Sequence, residues 1–233
     1  MGQPHEAFGV VSVKVAKPGT RGSGMTPTPA GVKMQNVTVK DMIGEAYHVY
    51  DMQIAGGPKW IESDRYDVEA KAPGDKVAGK EQRRAMMRTM LEERFGLSVH
   101  EKQQEMQAFL LETAKKGPKL AVTKDPTTPV VFRVYQRRQI TSVNAPLDYL
   151  TEALTWMIGR PVLDRTGLDG TFDYKLEWAP DELQMRSVDA PVSSDADAPS
   201  LEAALGELGL RLVSRKGPVK MIVVDKVDHP EAN

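Results

Sequence analysis

The chain has 233 residues, 40% of them hydrophobic and 27% charged, which is the composition of an ordinary globular protein. Its 31 Lys and Arg residues balance 32 Asp and Glu residues, so no overall field attracts a polyanion, and we expect neither nucleic acid nor an anionic membrane as a partner. It contains no Cys, which excludes disulfides and thiolate chemistry. No apolar run approaches the roughly 20 residues that a membrane-spanning helix needs.

Strands and helices alternate along the first part of the chain. Thr38 and Asp41 form a capping-box pair, and the following apolar residues recur at helical spacing, which predicts a helix that ends between residues 47 and 49. A second helix is predicted over residues 80–95, with Gly96 at its end. The other predictions are strands over 8–14 and 65–72, a helical turn at 60–61, a loop over 19–31, and a hairpin of two strands over 97–100 and 106–113.

The second part of the chain repeats this order. Asn144 is expected to cap its first helix. Both parts place an aromatic residue before an Asp in one strand, as Tyr66-Asp67 and as Phe172-Asp173. The predicted elements here are a helix over 147–158, a strand over 171–178, a helix over 201–208 and two closing strands.

A fixed offset relates the ends of the two parts. Gly96 and Gly209 each follow a helix and precede a Leu, and they lie 113 positions apart (209 minus 96). The same offset places Leu110 against Val223 and keeps the apolar residues of the closing strands in phase. Because one offset aligns both the helix ends and the closing strands, the sequence indicates an internal repeat.

These patterns predict an α+β protein made of two sequence-related halves, 1–117 and 118–233. Each half is expected to form small antiparallel or mixed sheets with helices packed on one face. The stretch 180–198 is rich in Asp and Glu and poor in large apolar residues, so we expect a flexible acidic loop there.

Three stretches carry a resemblance to a known family. Residues 36–43, 53–61 and 159–170 resemble a large paralogous family of unknown function from soil bacteria, of the acidobacterial type. Members usually begin with a signal peptide, and some are fused behind zinc metallopeptidases of the penicillin-sensing type. The resemblance therefore implies a periplasmic or secreted protein. The start of this chain has no signal-peptide pattern, which fits a cytosolic start or a processed exported protein, and the His-Glu-x-x-His motif of the metallopeptidases is absent.

A more distant likeness concerns the second half. The helix, Gly-Arg-Pro-Val-Leu-Asp turn and following strand are similar to the short N-terminal domains of secretins and TonB-dependent receptors. Those domains bind partners in the periplasm. The likeness implies a binding role by analogy of fold.

Residues with catalytic potential are few and scattered. The chain has no Gly-x-Ser-x-Gly elbow, P-loop or dinucleotide fingerprint, and its four His residues are far apart in sequence. His48 follows a helix beside Asp51, in a position that favours a protonated imidazole. Asp67 and Glu69 share one strand face and offer carboxylates for acid–base work or for a hard cation. A solvated helix end and a salt-bridged sheet face explain the same residues, and neither metal nor cofactor is expected.

The stretch from Tyr47 to Trp60 has no counterpart in the second half. Gly56 and Gly57 allow close approach of the backbone, Trp60 offers a ring for stacking, and Tyr47 and Tyr50 can line a pocket. The same glycines also suit a plain turn, and Trp60 also suits the core.

Two functions from different classes follow. The first is an extracytoplasmic binding or sensing module for a small molecule or protein partner, with Tyr47, Tyr50, Gly56, Gly57 and Trp60 at its surface. The alternative is a hydrolase of unfamiliar type, in which His48 pairs with a carboxylate from residues 62–69 as a general base.

Overall fold

A computed structural model of the protein describes residues 6–28, 31–74, 78–136, 138–179 and 198–230. The predicted acidic loop over 180–198 therefore lies almost wholly outside the described residues. The strands are β1 Val10–Val15, β2 Gly24–Thr28, β3 Gly31–Thr38, β4 Ile54–Gly56, β5 Arg65–Lys71, β6 Ser98–Thr113, β7 Ala121–Val122, β8 Val131–Tyr135, β9 Gln139–Ala145, β10 Val162–Asp164, β11 Phe172–Glu177 and β12 Leu210–Lys226. The helices are α1 Val39–Tyr47, a 3₁₀ helix Asp51–Gln53, α2 Trp60–Ser63, α3 Lys80–Phe95, α4 Leu147–Ile158 and α5 Leu201–Glu207.

The chain divides into two compact units, each with α+β architecture as predicted. Unit 1 comprises Met1–Gln104 and Lys220–Asn233, and unit 2 comprises Glu105–Val219. These units are defined by spatial contacts, whereas the predicted halves 1–117 and 118–233 are defined by sequence repeats. The division into repeats therefore stays a prediction.

Unit 1 is built on an antiparallel sheet in the order β1-β5-β3-β2. Val13, Met34 and Val68 project from this sheet into the core, where they are at most 6% exposed. Helices α1 and α3 supply the rest of the core, which includes Met42 and Met90. Alternation along the strands places the polar residues on the outer face of the sheet.

Unit 2 contains a second antiparallel sheet in the order β7-β11-β9-β8. Its core combines α4 and α5 with this sheet, and the fully buried side chains include Ile140, Leu150, Leu154 and Leu205. The helix predicted over 147–158 is confirmed as α4, on which Leu150, Leu154 and Met157 are completely buried and Trp156 is 52% exposed.

Each unit also contains one short parallel pair of strands. In unit 2, Val162–Asp164 of β10 pairs with Phe109 to Leu111 of β6. In unit 1, Ile54–Gly56 of β4 pairs with Ile222 to Val224 of β12. Phe109 and Ile222 are 113 positions apart (222 minus 109), the same offset that relates Gly96 to Gly209 in the sequence.

Helix α1 forms where its signals place it. Thr38 Oγ1 accepts the Asp41 amide at 3.0 Å, and the Asp41 carboxylate accepts the Thr38 amide at 2.9 Å, so the predicted capping box is present. Val39, Met42 and Ile43 are completely buried, as their spacing requires.

The predicted glycine positions are also confirmed. Gly96 ends α3 with φ 56°, and Gly209 follows α5 with φ 71°, so both lie in the left-handed region that favours glycine. A Cβ at Gly209 would lie less than 3 Å from the backbone of Pro118 and Lys119. Close packing therefore adds to the requirement for glycine there.

The predicted hairpins are wrong. Residues 98–113 form one continuous strand, β6, and residues 210–226 form another, β12. The stretch from Glu101 to Glu105, between the two predicted strands, contains no Gly or Pro, and its side chains are exposed along an extended strand. In the second case β12 continues through Gly217-Pro218.

Two smaller predictions need correction. The loop predicted over 19–31 contains β2, which pairs antiparallel with β3 despite Pro27 because it lies at the edge of the sheet. Asn144 is not the helix cap, since Pro146 occupies that position in α4.

Asn144 instead belongs to an arrangement that occurs in both units. Asn36 and Asn144 have φ of 53° and 51°, and each lies at a bulge of its strand. The Asn36 amide N–H donates to Asp67 Oδ1 at 2.9 Å, and the Asn144 amide N–H donates to Asp173 Oδ1 at 2.8 Å. Each Asn side chain donates to two loop carbonyls, those of Thr20 and Gly22 or those of Pro126 and Thr128.

We predict that Asn36→Ala and Asn144→Ala each lower the free energy of unfolding by about 2 to 3 kcal/mol, because each removes two hydrogen bonds and leaves Ala in a left-handed conformation. Asn36→Gly and Asn144→Gly keep the backbone and lose only the hydrogen bonds, so they should cost less. Urea denaturation of the four variants measures this order. An Ala variant as stable as its Gly counterpart would contradict it.

Candidate functional site

Trp60 begins α2 and packs half-buried against the core of unit 1. Its ring stacks on the imidazole of His229, with centroids 3.9 Å apart and planes inclined by 23°. His229 Nε2 lies 3.2 Å from Asp64 Oδ2, just after α2. Trp60, Asp64 and His229 therefore form one cluster, the Trp60 cluster, in which the side chain of His229 remains 58% exposed.

The segment after β12 brings His229 to this position. The Asp228 amide N–H donates to the Phe95 carbonyl at 2.7 Å, which fixes the segment at the end of α3. The Asp228 carboxylate also pairs with Lys226 at 2.8 Å. Sequence analysis missed His229, because the contact joins residues 169 positions apart (229 minus 60) and no local pattern marks it.

Gly56 and Gly57 have a packing role in this structure. Their φ angles are 77° and 74°. A Cβ on Gly56 would lie 2.7 Å from the Val224 carbonyl oxygen, and one on Gly57 would lie 2.9 Å from Ile61 Cδ1. The close approach of β4 to β12 and α2 accounts for both glycines.

Lys40 links three local elements on one side of α1. Its Nζ lies 2.7 Å from Glu62 Oε1 in α2 and 3.4 Å from Asp51 Oδ2 in the 3₁₀ helix, while its side chain is only 14% exposed. Burial alone would lower the pKa of Lys40, but the hydrogen bond to Glu62 and the Asp51 charge outweigh this and raise it. The hydrogen bond and charge of Lys40 lower the pKa of Glu62. The sequence pattern indicated Asp51 as a candidate residue beside His48, but it did not indicate Lys40.

Tyr47 ends α1 and Tyr50 follows it, and each forms a hydrogen bond through its backbone. Tyr47 is half-buried, which raises the pKa of its hydroxyl, and its carbonyl accepts Lys220 Nζ at 3.3 Å. The Tyr50 amide N–H donates to Gln53 Oε1 at 3.1 Å. His48 lies between them as the left-handed residue that ends α1, with an exposed side chain.

Asp67 and Glu69 lie on the outer face of the unit 1 sheet, as the strand pattern predicted. Asp67 accepts the Asn36 amide, and Glu69 Oε1 lies 3.0 Å from Lys33 Nζ. The hydrogen bond and charge of Lys33 lower the pKa of Glu69, with smaller contributions from the charges of Lys71 and Lys14. Asp67 and Glu69 therefore have separate partners, on neighbouring positions of the sheet.

The fold defines an α+β protein with two compact units, and within the described residues no helix is long and apolar enough to cross a membrane. The chain belongs to the family described as "Protein of unknown function (DUF3738)", whose model matches residues 40–227. No curated protein and no solved structure matches the chain. The matched region includes Lys40, Trp60 and Asp64 but not His229.

We predict that Gly56→Ala destabilises the protein more than Gly74→Ala by at least about 1 kcal/mol. Both glycines have φ near 75°, so in both variants the left-handed conformation of Ala costs about 1 to 2 kcal/mol. Only Gly56 adds a clash with Val224, since a Cβ on Gly74 has no atom within 4 Å. Chemical denaturation of the two variants measures the difference, and equal losses would contradict the packing role.

A second prediction concerns the pH dependence that Lys40 causes. Because the pKa of Glu62 is lowered from 4.5, its stabilising contribution is present above pH 4.5 and is lost as the pH falls through the folded-state value. The difference in unfolding free energy between the wild-type protein and Lys40→Met should therefore shrink on acidification below pH 4.5.

Lys175→Met is the matched control, since Lys175 and Glu177 form an exposed pair at 2.8 Å with side chains 58% and 54% exposed. Exposed pairs contribute little, so this variant should follow the wild-type pH profile. A constant wild-type difference for Lys40→Met across the acidic range would contradict the role of Lys40.

Proposed function

We propose that this protein is a binding or sensing module whose ligand contacts the Trp60 cluster, with Tyr47 and Tyr50 as further proposed contacts. The observation that carries the proposal is the stack of His229 on Trp60. It is the geometry that a planar ring or the apolar face of a sugar adopts on an indole. The imidazole that stacks on this half-buried Trp is itself 58% exposed, so a ligand that displaces it gains access to that ring face.

Polar groups around Trp60 support the same role. Ligand sites combine aromatic surface with a few placed polar groups that orient the ligand. Asp64 lies four positions after Trp60, and Glu62 is held in place by Lys40. A ligand stacked on Trp60 has carboxylate acceptors within the same short helix and its end. Gly56 and Gly57 contribute by fixing the turn that leads into α2.

The hydrolase alternative gains no support from the carboxylates proposed for it. Glu62 pairs with Lys40 and Asp64 with His229, while Asp67 and Glu69 bind Asn36 and Lys33. The pKa values of Glu62 and Glu69 are lowered, which makes both weaker general bases near neutral pH. His48 and Asp51 stay candidates for catalysis on sequence grounds alone.

Location and origin are part of the proposal. The soil-bacterial resemblance and the likeness to short N-terminal domains of secretins and TonB-dependent receptors favour a periplasmic or secreted protein that binds a small molecule or a protein partner. Fractionation of cells that express the native gene tests this. Recovery of the protein in the cytoplasm would contradict an extracytoplasmic role.

We also propose that the two units arose by an internal duplication. The sheet orders β1-β5-β3-β2 and β7-β11-β9-β8 correspond strand by strand when six is added to each number. The same shift relates β4 to β10 and β6 to β12, although the long strands are exchanged, since β4 pairs with β12 and β10 pairs with β6. The Asn–Asp arrangement occurs at equivalent bulges. These correspondences favour two copies of one ancestral unit.

We predict that a ring-bearing ligand quenches Trp60 fluorescence in the Trp156→Phe variant, in which Trp178 is the other Trp and is 1% exposed. Disaccharides, nucleosides and aromatic amino acids are suitable probes. Calorimetry should then show binding abolished in Trp60→Leu and tightened up to about tenfold in His229→Ala, since a ring stack contributes about 0.5 to 1.5 kcal/mol.

The wild-type protein and Trp156→Phe should bind equally, which controls for the loss of another Trp. Circular dichroism confirms that Trp60→Leu is folded. Binding that survives in folded Trp60→Leu, or a panel in which no probe quenches Trp60, would contradict the proposed site.

A further inference from the structure

The outer face of the unit 1 sheet contains a shallow polar trough. One depression of about 310 Å³ is lined by side chains of three strands, including Ser12 and Lys14 of β1, Lys33 of β3, and Asp67 and Glu69 of β5. A second depression of about 260 Å³ is lined by Thr26 of β2 and by the loop before that strand. Both depressions share Lys33 and Gln35, so they adjoin.

The loop that bounds the second depression is held in a fixed position. It carries Arg21 and Ser23. Asn36, only 8% exposed, donates from Nδ2 to the carbonyls on either side of Arg21, those of Thr20 at 3.2 Å and Gly22 at 2.7 Å. Because Asn36 also donates its amide N–H to Asp67, the loop and the floor of the first depression are tied to one buried residue.

The charges of the trough are not all neutralised. Glu69 pairs with Lys33, and Asp67 accepts the Asn36 amide. The side chains of Lys14 and Arg21 form no hydrogen bond or ion pair with another described residue. Lys14 lies opposite Asp67 and its charge lowers the pKa of Glu69, so its charge is partly balanced. Each depression still has one exposed cation that forms no ion pair with a described residue.

These charges are absent from the equivalent positions of unit 2. Lys14 lies opposite Asp67 in the strand register, and the residue opposite Asp173 is Ala121. The loop residue between the two carbonyls that Asn144 binds is Thr127, where unit 1 has Arg21. The Asn–Asp hydrogen bonds occur in both units, but the cations occur only in unit 1 at these positions. The shared hydrogen bonds therefore do not account for the cations.

The chemistry of the lining defines a ligand class. Hydroxyls of Ser12, Ser23 and Thr26 and the amide of Gln35 give and accept hydrogen bonds, and among the described residues no aromatic side chain lines either depression. The carboxylates of Asp67 and Glu69 accept hydrogen bonds from hydroxyl groups but repel a dense polyanion. A ligand with many hydroxyls and no more than one carboxylate per ring satisfies all of these groups.

We propose that the trough is a second binding site, separate from the Trp60 cluster, for an acidic oligosaccharide whose carboxylates pair with Lys14 and Arg21. Neither the Trp60 cluster nor Tyr47 or Tyr50 contributes to its lining. Its two depressions are small, which suits successive sugar rings lying along the sheet.

The test uses the full chain and calorimetry with an oligogalacturonide of four units, with a neutral cello-oligosaccharide of equal length, and with inorganic phosphate. We expect the oligogalacturonide to bind, more weakly as salt rises, and the other two probes to bind at least tenfold more weakly. Lys14→Gln and Arg21→Gln should each lower its affinity about tenfold, the effect of one charge-assisted hydrogen bond.

Lys71→Gln is the matched control, because Lys71 is an exposed cation of β5 outside the lining and the charge change is the same. It should bind like the wild-type protein, as should Trp60→Leu, which separates this site from the Trp60 cluster. The proposal is overturned if the oligogalacturonide does not bind, if Lys71→Gln weakens binding as much as Lys14→Gln, or if phosphate or the neutral sugar binds as well. Unchanged thermal midpoints show that the surface variants are folded.

Discussion

In each unit a buried Asn in the left-handed conformation joins three segments of chain. Asn36 and Asn144 both donate a backbone amide to an Asp of the next strand and a side-chain amide to the loop of the preceding strand. The left-handed residue also produces the bulge that precedes α1 or α4. Sheet, loop and helix entry thus depend on one residue, which is why an Asp occurs at equivalent places, as Asp67 and as Asp173.

The sequence was informative where local rules decide the structure. The capping box at Thr38, the apolar faces of α1 and α4, and the glycine after α3 depend on residues within a few positions, and all were predicted correctly. The hairpin predictions are wrong because β6 and β12 each continue as one strand through the stretch where a turn was predicted. In β6 the polar residues from Glu101 to Glu105 are exposed positions of a long strand, whose pairing over residues 109–111 depends on the distant β10.

The candidate sites show the same division between local and distant information. Local composition located Trp60 and the shared strand face of Asp67 and Glu69. It did not identify Lys40, which lies on a helix whose pattern reports only its apolar face, or His229, which reaches Trp60 from beyond the last strand. Such partners depend on tertiary contacts, so a single sequence does not reveal them.

The comparison between units separates scaffold from function more sharply than either unit alone. Features present in both, such as the Asn–Asp hydrogen bonds and the left-handed glycines after α3 and α5, are explained by folding. Features confined to unit 1 require another explanation where packing gives none. Packing explains Gly56 and Gly57, but it does not explain the exposed imidazole on Trp60 or the cations Lys14 and Arg21, whose counterparts in unit 2 are Ala121 and Thr127. The two proposed binding sites therefore both lie in unit 1, on a framework that unit 2 shares.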